Sequence, residues 1–585
     1  MEHASFTRRN VMKSGVCATS AAAFGGMALP ALVAPTAAQA EVPTNGSIDT
    51  PIGKLEVVNG YPTDATVTKL FDEMDFQRAA QAYLWALPYT AMGQWQDEQR
   101  NKFGAQDLQY VDYFDFKDKL GLLTANATTP YSMAFPNLTK TGPLVFEFPE
   151  SAIAGGILDF WQRPLTDTGA LGPDEQKGGK YLIVGPNDPD MKPEGYFVFR
   201  SPTNNVWSGQ RGLSANLDEA KAAIGKMRVY PYNQRDNPPT LAHIRPGGRK
   251  WHGEQPRGLA YWELLSRLIN EESALERDRI TLAGLIPLGI EKGKPFNPDE
   301  RQKKILMQAS DVGELMARAN GYAKRFPGVV VWPGKKWEYS LFMKETDQEA
   351  TNNTQLDERS SWFYEAVGVT VGMMGRTVGA GQVYLESSWD SKDQWLDGGK
   401  QYALHVPKDA PVAQFWSFTV YDNESRCFVG TGTHPDRSSR DDIVKNAYGS
   451  VDLYFGPTSP KGGPQEQLDQ NLAENGLVYL LPALRSDAGL LRQNLGSARH
   501  SAHVRNWTSS AIGPKRTRRS ASVAAAFGGK ADMGKQRRCH RCRPAARLVQ
   551  FWTSFSVLGA VRNYWDNTCN EKPGTLGGYH AAVFL

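Results

Sequence analysis

Phe415-Trp416-Ser417-Phe418-Thr419-Val420-Tyr421 is an unbroken run of aromatic, hydroxyl and β-branched residues. Side chains of a strand alternate between faces, so this run sends Trp416, Phe418 and Val420 one way and its other aromatics the opposite way. Similar runs surround it at 382–385, 402–406 and 451–455. They are bounded by Asp-Gly-Gly, Lys-Asp-Ala-Pro and Asn-Ala-Tyr-Gly-Ser, all turn-forming chemistry. A β-rich C-terminal domain over 346–464 is expected.

Toward the N-terminus, strand-like runs at 144–148, 181–184 and 196–200 define a second β-rich domain over 41–210. A helix is expected over 62–87, where Phe76, Ala79, Ala80, Tyr83, Leu84 and Leu87 recur at helical spacing, with Pro88 ending or kinking it. Between the domains, 211–345 reads as a helical connector. Ser214 is the expected N-cap of its first helix. Leu264, Leu265, Leu268 and Ile269 mark a second, and Pro298-Asp299-Glu300 opens a third running to about Arg325. The fold class is α+β: two sandwich-like β-rich domains joined by helices. No repeat of fixed period occurs.

Arg8 and Arg9 precede an Ala-rich apolar stretch that ends in Ala38-Gln39-Ala40. This resembles a twin-arginine secretion signal over 1–40, which predicts a periplasmic protein. The formal charge of +4 over 585 residues hides an asymmetry. Residues 499–547 hold 13 Lys or Arg against one acid, Asp532, whereas 41–498 carries a net charge of −10. An acidic body argues against nucleic-acid binding. No stretch after the signal is apolar and long enough to span a bilayer. Cys427 is the lone cysteine of the body, so no internal disulfide is expected there.

Several motifs resemble a bacterial exported family built from two paired domains of unknown function, twelve-fifty-four and twelve-fourteen. The N-terminal likeness rests on residues 76–87, 124–131, 142–147 and 179–186, and the connector likeness on 288–296. The C-terminal likeness rests on Leu396-Asp397-Gly398-Gly399, residues 414–422 and Pro435-Asp436-Arg437-Ser438-Ser439. Together they cover roughly 60–460. The resemblance implies two β-rich domains and no accepted activity. Where the family commonly has Asn-x-Asp-Thr-x-Tyr, this chain has Thr128 in place of the Asp.

The family pattern stops near Pro464 and gives way to Leu-rich, then Arg-rich text. Codons can be chosen for residues 467–495 so that reading one base later gives a family-like ending. Leu468 and Leu477 become tryptophans if each is CTG followed by a codon starting with G. We therefore expect a frame break between about 462 and 467, and a tail from 465 to 585 that is disordered or non-native. A β-domain cut there is expected to expose unpaired strand edges. An uninterrupted reading frame at the resequenced locus would remove this expectation. In such a tail, Cys539-His540-Arg541-Cys542 is half a zinc site without a partner pair, and the basic run 515–519 carries no selected function.

The body contains no zinc-protease, esterase or phosphate-loop motif. Two polar-aromatic clusters remain. In the first, Trp161 would stack on an anionic or sugar-like ligand and Arg163 would pair with it. In the second, Trp416 and Tyr421 would do the same, with Asp422, His434, Asp436 and Arg437 around them. Packing alone explains the same aromatics as core residues. An enzyme would use Asp436, His434 or Asp422 as acid or base. These eight residues form the candidate ligand site, with no catalytic assignment, no metal and no cofactor named. The expected ligand is a small polar or sugar-like molecule. The alternative is an envelope-associated structural or assembly protein without catalysis, and a homo-oligomer is compatible with either.

Overall fold

The computed structural model describes residues 42–457, apart from 241–242, 375–381, 409, 411, 413–414 and 430–433, and the backbone of three short strands beyond them. All fall within one compact unit. The Cys539–Cys542 pair, the basic run and the signal lie outside the described residues.

Strands β1 (Gly46–Thr50), β2 (Gly53–Val58) and β3 (Tyr61–Pro62) form a small antiparallel sheet. Helix α1 (Asp64–Phe103) follows, capped by the Thr63 hydroxyl and closed by Gly104 at φ 76°. It runs through Pro88, which corrects the expected break. A mid-helix proline leaves the carbonyl four residues earlier, that of Leu84, without its helical donor, but here the surrounding turns are buried and their packing holds the helix. The Gln162 amide donates to the Pro88 carbonyl at 2.6 Å, and the Thr90 hydroxyl reaches back to Ala86 and Leu87.

The N-terminal region continues with β4 (Val111–Tyr113), β5 (Tyr131–Ala134), α2 (Leu138–Thr141), β6 (Leu144–Phe148), β7 (Ile153–Asp159), β8 (Pro164–Gly169), β9 (Gly179–Val184), β10 (Phe197–Arg200), β11 (Val206–Gly212), α3 (Leu217–Ile224) and β12 (Arg228–Pro231). The strands form a five-stranded sheet, β4-β5-β11-β7-β8, and a four-stranded one, β10-β9-β6-β12. Ala134, Ile157 and Val206 of the first pack with Phe146, Tyr181 and Ile183 of the second in one core. Asn216, rather than Ser214, caps α3, because its side chain reaches the Asp218 and Glu219 amides while Ser214 bonds the Glu219 carboxylate.

The connector holds α4 (Leu259–Glu271), α5 (Arg279–Leu285) and α6 (Glu300–Tyr322), the last opened by an Asp299–Gln302 capping box. These helices pack directly on α1. Tyr83 of α1 stacks on Tyr261 of α4 at 4.2 Å, and a Cβ on Gly313 of α6 would meet the Tyr83 ring at 2.6 Å. Only glycine lets α1 and α6 approach this closely.

The C-terminal region comprises β13 (Glu338–Tyr339), α7 (Leu356–Glu365), β14 (Leu385–Glu386), β15 (Gln401–Val406), β16 (Ser417–Asp422), β17 (Asp436–Ser438) and β18 (Val451–Gly456). Trp416, Phe418 and Val420 pack against Tyr402, Leu404, Leu453 and Phe455, as the alternation predicted. The opposite face of β16 is buried too, and its Tyr421 joins the N-terminal core. Three tail segments, β19 (Leu468–Gln470), β20 (Leu477–Leu480) and β21 (Val504–Trp507), pair with β18, β16 and β15 respectively. The expected unpaired edges are thus filled on β15, β16 and β18, since backbone pairing needs only an extended partner. The rest of the tail lies outside the described residues.

Candidate functional site

Strand β11 sets the site. Trp207, Gly209 and Arg211 point to one face, and Tyr131 stands directly across from Arg211 on β5. That register places the Arg211 guanidinium 4.7 Å from the Tyr131 ring centroid. Met133, Ala154 and Thr168 extend the same floor. The roof comes from Trp362 and Ala366 at the end of α7, from Met373, and from Gln382 and Tyr384. Loop 122–125 and Phe415 close the side.

The resulting pocket encloses about 160 Å³. Cavities near this size hold a single aromatic ring. Its lining is mostly apolar, with Arg211 as its charged donor. Arg211 donates from Nη1 to the Gln382 side-chain oxygen at 2.8 Å and forms no ion pair with any described carboxylate. The Trp207 indole N–H is buried without a partner. Asp167 also reaches the pocket, but both its oxygens accept backbone N–H groups, from Val371 and Gly372 at 3.1 Å each.

The loop at 124–129 forms the wall between this pocket and the C-terminal hairpin. Lys119 lies fully buried behind it and donates to the Asn126, Ala127 and Thr129 carbonyls at 3.1, 3.2 and 2.7 Å. Burial pulls its pKa down to about 7, while Asp436 favours the charged form. From the hairpin, Tyr421 donates to the Ala125 carbonyl at 2.6 Å and Ser417 accepts from the Asn126 amide at 2.9 Å. Thr128, at the departure from the family pattern, donates to Asp436 at 2.9 Å.

The eight predicted residues divide among separate places, and none lines the pocket. Trp161 is buried, stacked on Tyr89 at 4.3 Å, as the packing reading held. Arg163 pairs with Glu349 at 2.6 Å. Trp416 faces the C-terminal core, away from Tyr421. Asp422 caps its own turn through the Ser425 amide and hydroxyl. Asp436, opposite Thr419 in the β16–β17 pairing, is 1% exposed and holds His434 Nδ1 at 2.7 Å. That hydrogen bond raises the His434 pKa, and 45% of the His434 side chain is exposed. Arg437 donates to the Asp436 carbonyl at 2.7 Å. The structure thus brings together Tyr421, Asp436, His434 and Arg437.

Sequence reasoning missed Arg211, Tyr131 and Trp207. The signal was present in Val-Trp-Ser-Gly-Gln-Arg-Gly, a strand whose alternate positions carry Trp, Gly and Arg. Cys427 is buried and free, and burial pushes its thiol pKa up.

A family model described as a protein of unknown function, DUF1254, matches residues 107–231, and a second such model, DUF1214, matches residues 381–472. These are the paired domains that the motifs resemble. Among curated proteins, none matches the chain. Two solved structures are similar. One is the VPA0106 protein from Vibrio parahaemolyticus, at 14% identity and a TM-score of 0.45, with 74% of this chain and 100% of that chain covered. The other is an uncharacterized protein from Burkholderia cenocepacia, at 11% identity and a TM-score of 0.35, with 76% and 98% covered.

Proposed function

We propose that this is an exported protein that binds a small organic acid, with one negatively charged group and an apolar body about one ring in size. The observation that carries the reading is Arg211, a guanidinium without a carboxylate partner among the described residues, set in an apolar pocket. A cation in such surroundings favours an anionic ligand, and the apolar walls favour a compact hydrocarbon body. Export rests on the Arg8-Arg9 signal.

The β16–β17 hairpin supports the pocket from behind, so Tyr421 and Asp436 position the loop without touching the ligand. A catalytic version would use His434, oriented by Asp436, as the base. Neither side chain lines the pocket, which favours binding without turnover.

Thermal unfolding with benzoate and with benzamide tests the proposal. Benzoate at 100 times its Kd should stabilise the protein by about 2.7 kcal/mol. The neutral amide should do much less, and Arg211→Gln should remove the difference. Equal stabilisation by acid and amide, or an unchanged benzoate response in Arg211→Gln, would refute the anchor role.

A further inference from the structure

We propose that Arg359, Arg163 and Arg277 form a second binding site, for a small singly charged anion such as a carboxylate or a halide, separate from the Arg211 pocket. It stands independently of the pocket reading. Arg359 lies in the first turns of α7 and is 3% exposed. Its guanidinium makes no hydrogen bond and no ion pair with any described residue, and its Nε is buried without a partner. It lies over the Trp161 ring, 6.0 Å from the centroid. The Arg163 Nε is likewise buried and unpartnered. A buried guanidinium normally has its donors filled, because removing that charge from water is costly.

The carboxylates around this cluster leave Arg359 without a partner. Asp159 accepts the backbone N–H groups of Trp161 and Arg163. Asp278 accepts from the Trp85 indole at 3.2 Å and lies 3.8 Å from Arg277. Glu349 takes Arg163 on one oxygen and the Thr354 hydroxyl on the other. None forms an ion pair with Arg359. Burial, then the nearby Arg163, lowers the Arg359 pKa to about 9, and Arg277 adds to the effect. A bound anion would relieve that repulsion and fill the open donors. Glu349 and Asp278 offset Arg163 and Arg277, which leaves the charge of Arg359 for a single negative charge, and a double one meets repulsion.

Calorimetric titration of the full chain with sodium formate, chloride and sulfate tests this. Formate or chloride should saturate a site whose affinity falls at least tenfold in Arg359→Met and in Arg277→Gln, and stays unchanged in Arg211→Met. Which of the two binds more tightly identifies carboxylate or halide as the preferred ligand. Arg277→Gln alters a partly exposed side chain and keeps the test open if Arg359→Met does not fold. Three results would overturn the site: no saturable binding of formate or chloride, sulfate binding more tightly than either, or binding lost only in Arg211→Met. The last would leave the pocket reading intact.

Discussion

The turn at 159–163 and the β16–β17 hairpin carry the same kinds of residue, an aromatic beside an acid and an arginine, yet they do different work. In the turn, Trp161 lies inside the helical layer between Tyr89 and Trp85, and the charges gather beside it. In the hairpin, one face of β16 fills the C-terminal core while the other grips the loop that walls the pocket. Aromatic content alone therefore does not mark a ligand site. What matters is which face of the element remains for something other than packing.

Four substitutions would break or sharpen that contrast. Trp161→Ala should cost the most, about 4 kcal/mol in urea unfolding, as expected for a large aromatic removed from a packed core. Unchanged stability would show that the turn is not core. Asp436→Ala should cost about 3 kcal/mol, because it strips partners from Thr128 and His434 in a buried setting. It should also weaken ligand binding in the Arg211 pocket, whereas Trp161→Ala should leave the binding constant of the folded fraction alone. Similar binding losses in both would erase the distinction between the regions.

Thr128→Asp restores the residue common in the family and sets a second carboxylate against Asp436. We expect a loss of about 2 kcal/mol at pH 7. Two adjacent carboxylates raise one pKa in the folded state, so stability is retained at low pH and falls as pH rises through that raised pKa. A variant equally stable at pH 4 and pH 7, relative to the parent, would contradict this. The smallest effect is that of His434→Ala, under about 1 kcal/mol, since the ring is half exposed and screened. Asp436 raises the His434 pKa in the fold. Its contribution is therefore complete below the ordinary histidine pKa and disappears as pH rises through the folded value. The difference between parent and variant should shrink between pH 5 and pH 9, and urea midpoints at the two values measure it.

Local order was legible in the residues. Asp299 announces a helix start through its capping chemistry, and the alternation of β16 identified which side chains enter the C-terminal core. Pro88 misled, because a proline's local cost can be outweighed by burial of the helix around it. The absence of a disulfide framework in the body, its acidic charge and the paired-domain motifs also came from sequence alone.

The pocket did not. Arg211 and Tyr131 are 80 positions apart and meet because β5 and β11 pair in one register. Trp362 and Gln382 reach them from the other half of the chain. Thr128 and Asp436 are separated by 308 residues and still share a hydrogen bond. Helix caps and strand alternation act over a few residues, so the sequence alone determines them. Which buried charge finds a partner depends on how the sheets and helices pack, and only the tertiary structure decided that for Arg211 and Arg359.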